Sequence, residues 1–263
     1  MMRAPFQDGD FSFPVKYGYA AVGEVQSGVL EGHAVFALHP HQSHFAVPQS
    51  AIFAVPENVP PSRAVLAANM ETAINIVWDA GIGPGDKVAV VGCGVVGALA
   101  GYLAGRIPGT EVTLIDIDPD RASLADPLGC AFAHPDIEMD DADVVIHASA
   151  TDAGLATAIG LAGVEATIIE ASWYGTRVTQ APLGGRFHQR RLQIIGSQVG
   201  RIPAERAARW TFARRLQKAL SLLADERLDT LISGETQFSD LARDYGAILA
   251  DRSTLCHRVR YDG

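Results

Sequence analysis

The chain lacks the marks that would tie it to an oxidising compartment, a nucleic acid or a membrane. Only three cysteines occur in 263 residues, Cys93, Cys130 and Cys256, with no C-x-x-C pair and no even framework. A disulfide scaffold is therefore excluded, and a reducing cytoplasm is the expected location. The opening MMRAPFQDGD has no apolar stretch that reads as a secretory signal. Positive charge is scarce, for the net charge is −9, and no nucleic-acid partner is expected. One long uncharged run, 88–105, even spaces Gly97, Gly101 and Gly105 like a packed membrane helix. Its strand-like start and its five glycines argue against a span, so no membrane partner is expected either.

The scarce positive charge is also uneven. Residues 186–218 hold nine Lys and Arg against Glu205 alone, a local balance of +8 that leaves −17 for the rest. This reads as a solvated helix face with Trp210, Ala213, Leu216 and Leu220 turned inward, or as a patch that attracts an anionic substrate.

What is present is concentrated between Lys87 and Asp116. Val88, Ala89, Val90 and Val91 form an apolar run suited to a strand buried on both faces. Gly92, Gly94 and Gly97 follow as G-x-G-x-x-G. Gly92 permits a tight turn, Gly94 lets backbone N–H groups approach a pyrophosphate, and Gly97 lets the next helix lie close to the strand. That helix carries Val95, Val96, Leu99, Tyr102 and Leu103 on one face, and its N-terminus offers free N–H groups to an anion. A second strand, 111–115, ends at Asp116, 24 residues after Gly92, near the spacing expected of an acid that binds a ribose 2′-hydroxyl. The same charge repels a 2′-phosphate, so NAD is the expected cofactor.

Around this segment, short strand-like runs at 20–25, 34–38, 45–47 and 52–55 suggest a small antiparallel β unit. Helical spacing returns at 64–78. Beyond Asp116, helices at 119–128 and 154–161 alternate with strands at 144–148 and 166–171. A strand at 192–197, one long helix at 204–220 and a strand at 255–261 complete the order. Strands alternating with helices imply an α/β fold with a doubly wound parallel (Rossmann) sheet.

The runs GIGPGDKVAVVGCGVVGALAGYLA, TLIDIDPDR, ADVVIHASA and LQIIGSQVG together resemble the medium-chain dehydrogenase/reductase family, the zinc alcohol dehydrogenase superfamily, from about Phe13 to Tyr261. The resemblance implies a Rossmann domain, 71–228, inserted in a GroES-like catalytic β domain formed by 1–70 with 229–263. It implies that Gly94, Val95 and Val96 face the pyrophosphate and that Asp116 with Ile117 meets the adenosine ribose. Ala148, Ser149, Ser172 and Trp173 match positions bordering the nicotinamide, and Thr72 matches a threonine against its ring. A homodimer joined through Rossmann sheet edges is also implied.

The departures point to a member without zinc. A catalytic zinc needs thiolate, imidazole or carboxylate ligands. The family's Gly-His-Glu reads Gly18-Tyr19-Ala20, the region of the third ligand reads Ala67-Ala68-Asn69-Met70-Glu71, and the four-cysteine lobe is missing. The family also places several more barrel strands before the point matching Phe13. Either translation begins upstream, with Met1 or Met2 internal, or the catalytic domain is reduced.

Without a metal, hydride transfer needs a proton donor or acceptor at the substrate oxygen. Tyr19 is the first candidate, against the alternative of a core aromatic. Glu71 beside Thr72 is the second, as a relay or orienting group, against the alternative of a helix-surface carboxylate. His39, His41 and His44 read as a loop or pocket group before a metal site, and Tyr17, Trp173 and Tyr174 as aromatics that could line a pocket. The sequence thus predicts an NAD-dependent oxidoreductase acting on a small alcohol, carbonyl or activated double bond. A non-catalytic NAD-binding sensor or interaction protein and an S-adenosylmethionine methyltransferase are the alternatives.

Overall fold

The computed structural model of the protein describes residues 16–261. Phe13, where the family resemblance begins, lies outside them. Contacts divide the chain into two compact units, one comprising Glu71–Thr211 and the other residues 16–70 with 212–261.

The second unit opens with three short antiparallel strands, β1 (Ala21–Glu24), β2 (Ala34–Ala37) and β3 (Ile52–Ala54), in that spatial order. Phe36 is fully buried, paired with Val22 on one side and Phe53 on the other. The strand expected at 45–47 does not form. Phe45 stacks on His39 with ring centroids 3.7 Å apart, and after Pro48 the chain enters a short 3-10 turn, so the run is held as loop.

The first unit is built on six parallel strands: β4 (Lys87–Val91), β5 (Glu111–Ile115), β6 (Ala131–Ala133), β7 (Ala142–His147), β8 (Ala162–Glu170) and β9 (Gln193–Gly196). Their spatial order is β6-β5-β4-β7-β8-β9. The chain therefore winds one way from β4 and then returns to its other side at β7. That is a doubly wound sheet whose switch point lies between β4 and β7, and ligands of such sheets bind beyond the carboxyl ends of the strands there.

Both faces are covered, which is why the strands read as unbroken apolar runs and not as alternation. Helix Val95–Ala104 lies against one face, where Gly97 and Gly101 sit over Val90 and Leu114. Ala89, Val91 and Val145 point to the other, packing with Leu155, Ala158 and Ile159 of helix Asp152–Leu161. Each valine, leucine or isoleucine among them contributes about 1.5–3 kcal/mol on removal from water.

Three helices differ from expectation. The run 119–128 is a 3-10 segment, Pro119–Leu124, followed by one α-turn, Ala125–Leu128, where Pro127 has no N–H to give to the preceding turn. The run 64–78 is a turn at Pro61–Ala64 and then helix Ala67–Ala80. The long helix expected at 204–220 is two, Ala204–Ala207 and Phe212–Leu222. Between them Trp210 leaves helical geometry to pack on Trp78, centroids 4.7 Å apart. Ala213 is consequently exposed, and Leu216, Ala219 and Leu220 form the inward face.

The second unit closes with β10 (Ile232–Gln237) and β11 (Cys256–Arg260), a parallel pair joined through helix Leu241–Ala250. Its buried residues include Leu223, Leu228 and Leu231, with Arg63 among them, only 5% exposed. The guanidinium grips Asp229 through two bonds of 2.7 and 2.6 Å and donates to the carbonyls of Leu223 and Ala224. These bonds also hold the Asp229 carboxyl below the usual range.

Candidate functional site

The glycine loop leaves β4 at Gly92. Its φ of +106° is open to glycine, and a Cβ there would lie 2.7 Å from the backbone nitrogen of Ser149. Gly97 is fixed by contact: a Cβ would come within 2.0 Å of the Gly92 carbonyl oxygen. Gly94 is different. It is exposed, caps helix Val95–Ala104 with no side chain, and a Cβ would meet nothing within 4 Å. Val95 and Val96 follow it, half-buried in the first turn of the helix. Unpaired N–H groups at a helix start beside open space suit a pyrophosphate.

Asp116 stands just past the end of β5. One carboxylate oxygen accepts the Cys93 N–H at 2.7 Å and the other the Asp118 N–H at 3.0 Å. Each oxygen keeps a lone pair for a further donor. The acid is thus clamped to the glycine loop itself. Ile117 is 73% exposed beside it, an apolar surface at the same rim. Cys93 is buried, and burial with the nearby Asp116 charge raises its thiol pKa, so it is a packing residue.

The carboxyl ends of β7 and β8 carry the remaining predicted positions. Ala148 donates its N–H to the Val91 carbonyl, bridging the switch point. Ser149 follows it, half-buried, and Ser172 and the 44% exposed Trp173 come just after β8. The structure brings these residues together around a group that sequence reasoning missed. His147, wholly buried, bonds the Ser149 hydroxyl through Nε2 at 2.8 Å and the Glu170 carboxylate through Nδ1 at 2.8 Å. Glu170 also accepts the Ser172 N–H and the Tyr174 hydroxyl. Burial alone would raise its pKa, but the bonds from His147 and Ser172 outweigh that and hold it low. Burial and the Glu170 charge push Tyr174 up to about 12, so it stays a donor. Ala150, at φ +53°, sits in left-handed geometry, its N–H bonded to Ser172 and its carbonyl to Arg177.

The proposed catalytic side chains lie on other elements. Glu71 is buried at 8% exposure near the start of helix Ala67–Ala80, and therefore is no surface carboxylate; Thr72 beside it is half-buried. Tyr19 belongs to the other unit. More than half of its surface is open, yet its hydroxyl end is packed by Asn69 and Cys256. Burial raises its pKa and the Asn69 bond offsets part of the rise.

Two of the three loop histidines have separate engagements: His39 stacks on Phe45, and His41 meets the Tyr261 hydroxyl at 3.2 Å. Among the described residues no group of three or more His, Cys, Asp or Glu could hold a metal ion. Nor, among them, is any helix long and apolar enough to cross a membrane. Tyr17 packs on Tyr245 within the second unit, and Trp173 and Tyr174 belong to the first.

A doubly wound sheet with a glycine loop at its switch point, accompanied by a small β unit drawn from both ends of the chain, defines a fold of the dinucleotide-binding kind. In sequence and in fold the chain is similar to dehydrogenases. It is 22% identical over 259 residues to D-xylulose reductase A of Aspergillus niger, matching 94% of this chain and 67% of that one. The crystal structure of 2R,3R-butanediol dehydrogenase from Bacillus subtilis superposes with a TM-score of 0.75 at 18% identity, covering 95% of this chain and 82% of the other. An alcohol dehydrogenase from Escherichia coli CFT073, complexed with NADH, gives 0.66 at 17% identity over 86% and 76%. No protein-family model matches the chain.

Proposed function

We propose that the protein is an NAD(H)-dependent oxidoreductase that moves hydride to or from an alcohol or carbonyl carbon, or an activated double bond, of a small molecule, without catalytic zinc. Asp116 carries the reading. Its carboxylate, held against the glycine loop by the Cys93 N–H, puts negative charge where a ribose 2′-hydroxyl is a welcome donor and a 2′-phosphate is repelled.

Gly92, Gly94, Val95, Val96 and Gly97 would hold the pyrophosphate, Asp116 and Ile117 the adenosine ribose, and Ala148, Ser149, Ser172 and Trp173 the nicotinamide half. When bound, the nicotinamide ring supplies hydride donation and acceptance. The family's zinc does not fit these residues. A phenol and an amide, Tyr19 and Asn69, occupy its ligand region and bond each other. Tyr19, kept protonated, would deliver a proton to a carbonyl oxygen; Glu71 would relay or orient, and Thr72 would steady the ring.

Titration of the full chain with NADH and NADPH tests the cofactor. Asp116→Ala should weaken NADH about tenfold, as loss of a charge-assisted bond implies, and narrow the preference over NADPH. Unchanged NADH affinity would remove Asp116 from the site. Tyr19→Phe should lower turnover with little change in NADH affinity, and a fully active variant ends that role. D-Xylulose and 2R,3R-butanediol, named in the relatives, head the substrate panel.

A second reading is favoured by the altered ligand positions: a non-catalytic NAD-binding protein. Ordinary NADH affinity with no turnover across alcohols, aldehydes and enones would support it. Thermal stabilisation by S-adenosylmethionine and not by NADH would support the methyltransferase instead. The all-free cysteines fit a cytoplasmic setting. The exposed edge strand β9, with Ile194 and Ile195 uncovered, fits a homodimer formed along that edge.

A further inference from the structure

We infer that His147 and Glu170 act as positioning residues for Ser149, fixing its hydroxyl as a hydrogen-bond acceptor that selects an N–H-bearing group, such as a primary carboxamide, at the switch point. The inference rests on the dinucleotide reading above and concerns its nicotinamide end.

The direction of each bond follows from the carboxylate. Glu170, held ionised, can only accept, so the Tyr174 hydroxyl, the Ser172 N–H and His147 Nδ1–H all point at it. A neutral imidazole that carries its proton on Nδ1 has a bare lone pair on Nε2. The Ser149 hydroxyl, 2.8 Å away, must then donate to it. Thr151 Oγ1 already accepts the Gly154 N–H, so its own proton goes to Ser149 at 3.0 Å. Ser149 is left with no free proton and one free lone pair.

Two features show that the arrangement is built into the fold. His147 and Glu170 are register partners on adjacent parallel strands, with the ring wholly buried between them. A side chain at residue 154 would displace this arrangement, because a Cβ there would lie 2.0 Å from Ser149 Oγ and 2.8 Å from His147 Nε2. Ser149 also backs directly on Gly92, placing it on the β7 side of the crevice while Asp116 serves the β5 side. A dinucleotide with its adenosine at Asp116 sends its other half toward β7.

A serine, histidine and glutamate in this order also match the pattern of an activated nucleophile. Here, however, the N–H just after the serine, the natural oxyanion donor, is already given to Ser172. Positioning is therefore the better reading.

The test is calorimetric titration of the full chain with NAD, with its 3-acetylpyridine analogue, which keeps the carbonyl but lacks the amide N–H, and with ADP-ribose. The wild type should prefer NAD to the analogue about tenfold, the worth of one buried hydrogen bond. Ser149→Ala should bring that ratio near one while leaving ADP-ribose affinity unchanged. Nitrogen-15 NMR of the imidazole should show the neutral Nδ1–H form of His147, and Glu170→Gln should alter that signature and reduce the ratio. A ratio preserved in Ser149→Ala, or a His147 protonated on Nε2, overturns the inference. Covalent labelling of Ser149 by a fluorophosphonate overturns it in favour of acyl transfer. Failure of the wild type to bind ADP-ribose would instead sink the dinucleotide reading beneath it.

Discussion

In the parallel sheet Val90, Leu114, Ile146 and Ile168 are fully buried on neighbouring strands, whereas in the smaller unit the buried set includes an arginine, Arg63, with its guanidinium on Asp229 and two carbonyls. The first arrangement needs only apolar area and close backbone approach. The second needs matched polar partners as well, because a buried charge without them is heavily penalised. The sheet therefore tolerates volume-conserving change in its side chains but little change in the glycines of the loop and helix packed on it, and the smaller unit is sensitive at one ion pair.

The sharpest test of this contrast lies in the helix packed on the sheet. Gly97→Ala would press a Cβ to 2.0 Å from a backbone oxygen, so thermal unfolding should show a large drop in Tm or loss of a cooperative transition. Gly94→Ala is its control: with open space around the new methyl, the Tm should hold while NADH affinity falls. An equal effect of the two would refute the distinction between a packing glycine and a ligand-facing one.

Next in size, Arg63→Met should cost about 2–3 kcal/mol in urea unfolding, from the lost pair and the orphaned carbonyls. A change below about 0.5 kcal/mol would show that the pair contributes nothing net. The pH dependence should be smaller. Asp229 and Glu170 both have depressed folded-state pKa values, so their stabilisation is present above the ordinary carboxylate range, near pH 4, and disappears as pH falls through the depressed values. Urea midpoints should therefore drop between about pH 5 and pH 3, less steeply in Glu170→Gln. The smallest expected effect is on the edge: Ile195→Lys should move stability by under about 0.5 kcal/mol yet shift a dimer toward monomer in light scattering.

The same contrast governs how much could be read from the amino acids. β4, the glycine turn, its helix and β5 are local in sequence, and a strand buried on both faces announces itself as VAVV or VTLI. Gly92, Gly94, Gly97 and Asp116 were legible for that reason. His147 and Glu170 were not, because they are 23 residues apart and each looks like one polar residue closing an apolar strand. Only the β7–β8 register makes them partners. The available signal was that VVIH and TIIE end in complementary titratable groups at the same level of adjacent parallel strands. Helical periodicity across 204–220 misled for another reason: the Trp210 contact with Trp78, remote in sequence, breaks the helix where local propensity would have continued it. In the small unit, strand-like 45–47 lost to a stacking contact with His39 that no period-2 pattern encodes.

The grip of Asp116 on the Cys93 N–H has a thermodynamic consequence. A loop rich in glycine would ordinarily sample many shapes, and a ligand that needs one of them would have to freeze the rest. Here the carboxylate already holds the loop before any ligand arrives, so the ordering entropy is spent during folding and not during association. Replacing that acid should therefore do more than remove a contact to the ribose. It should also loosen the glycine loop, so that on the proposed function a single side chain at the end of β5 would set both which dinucleotide is chosen and how rigid the receiving site is.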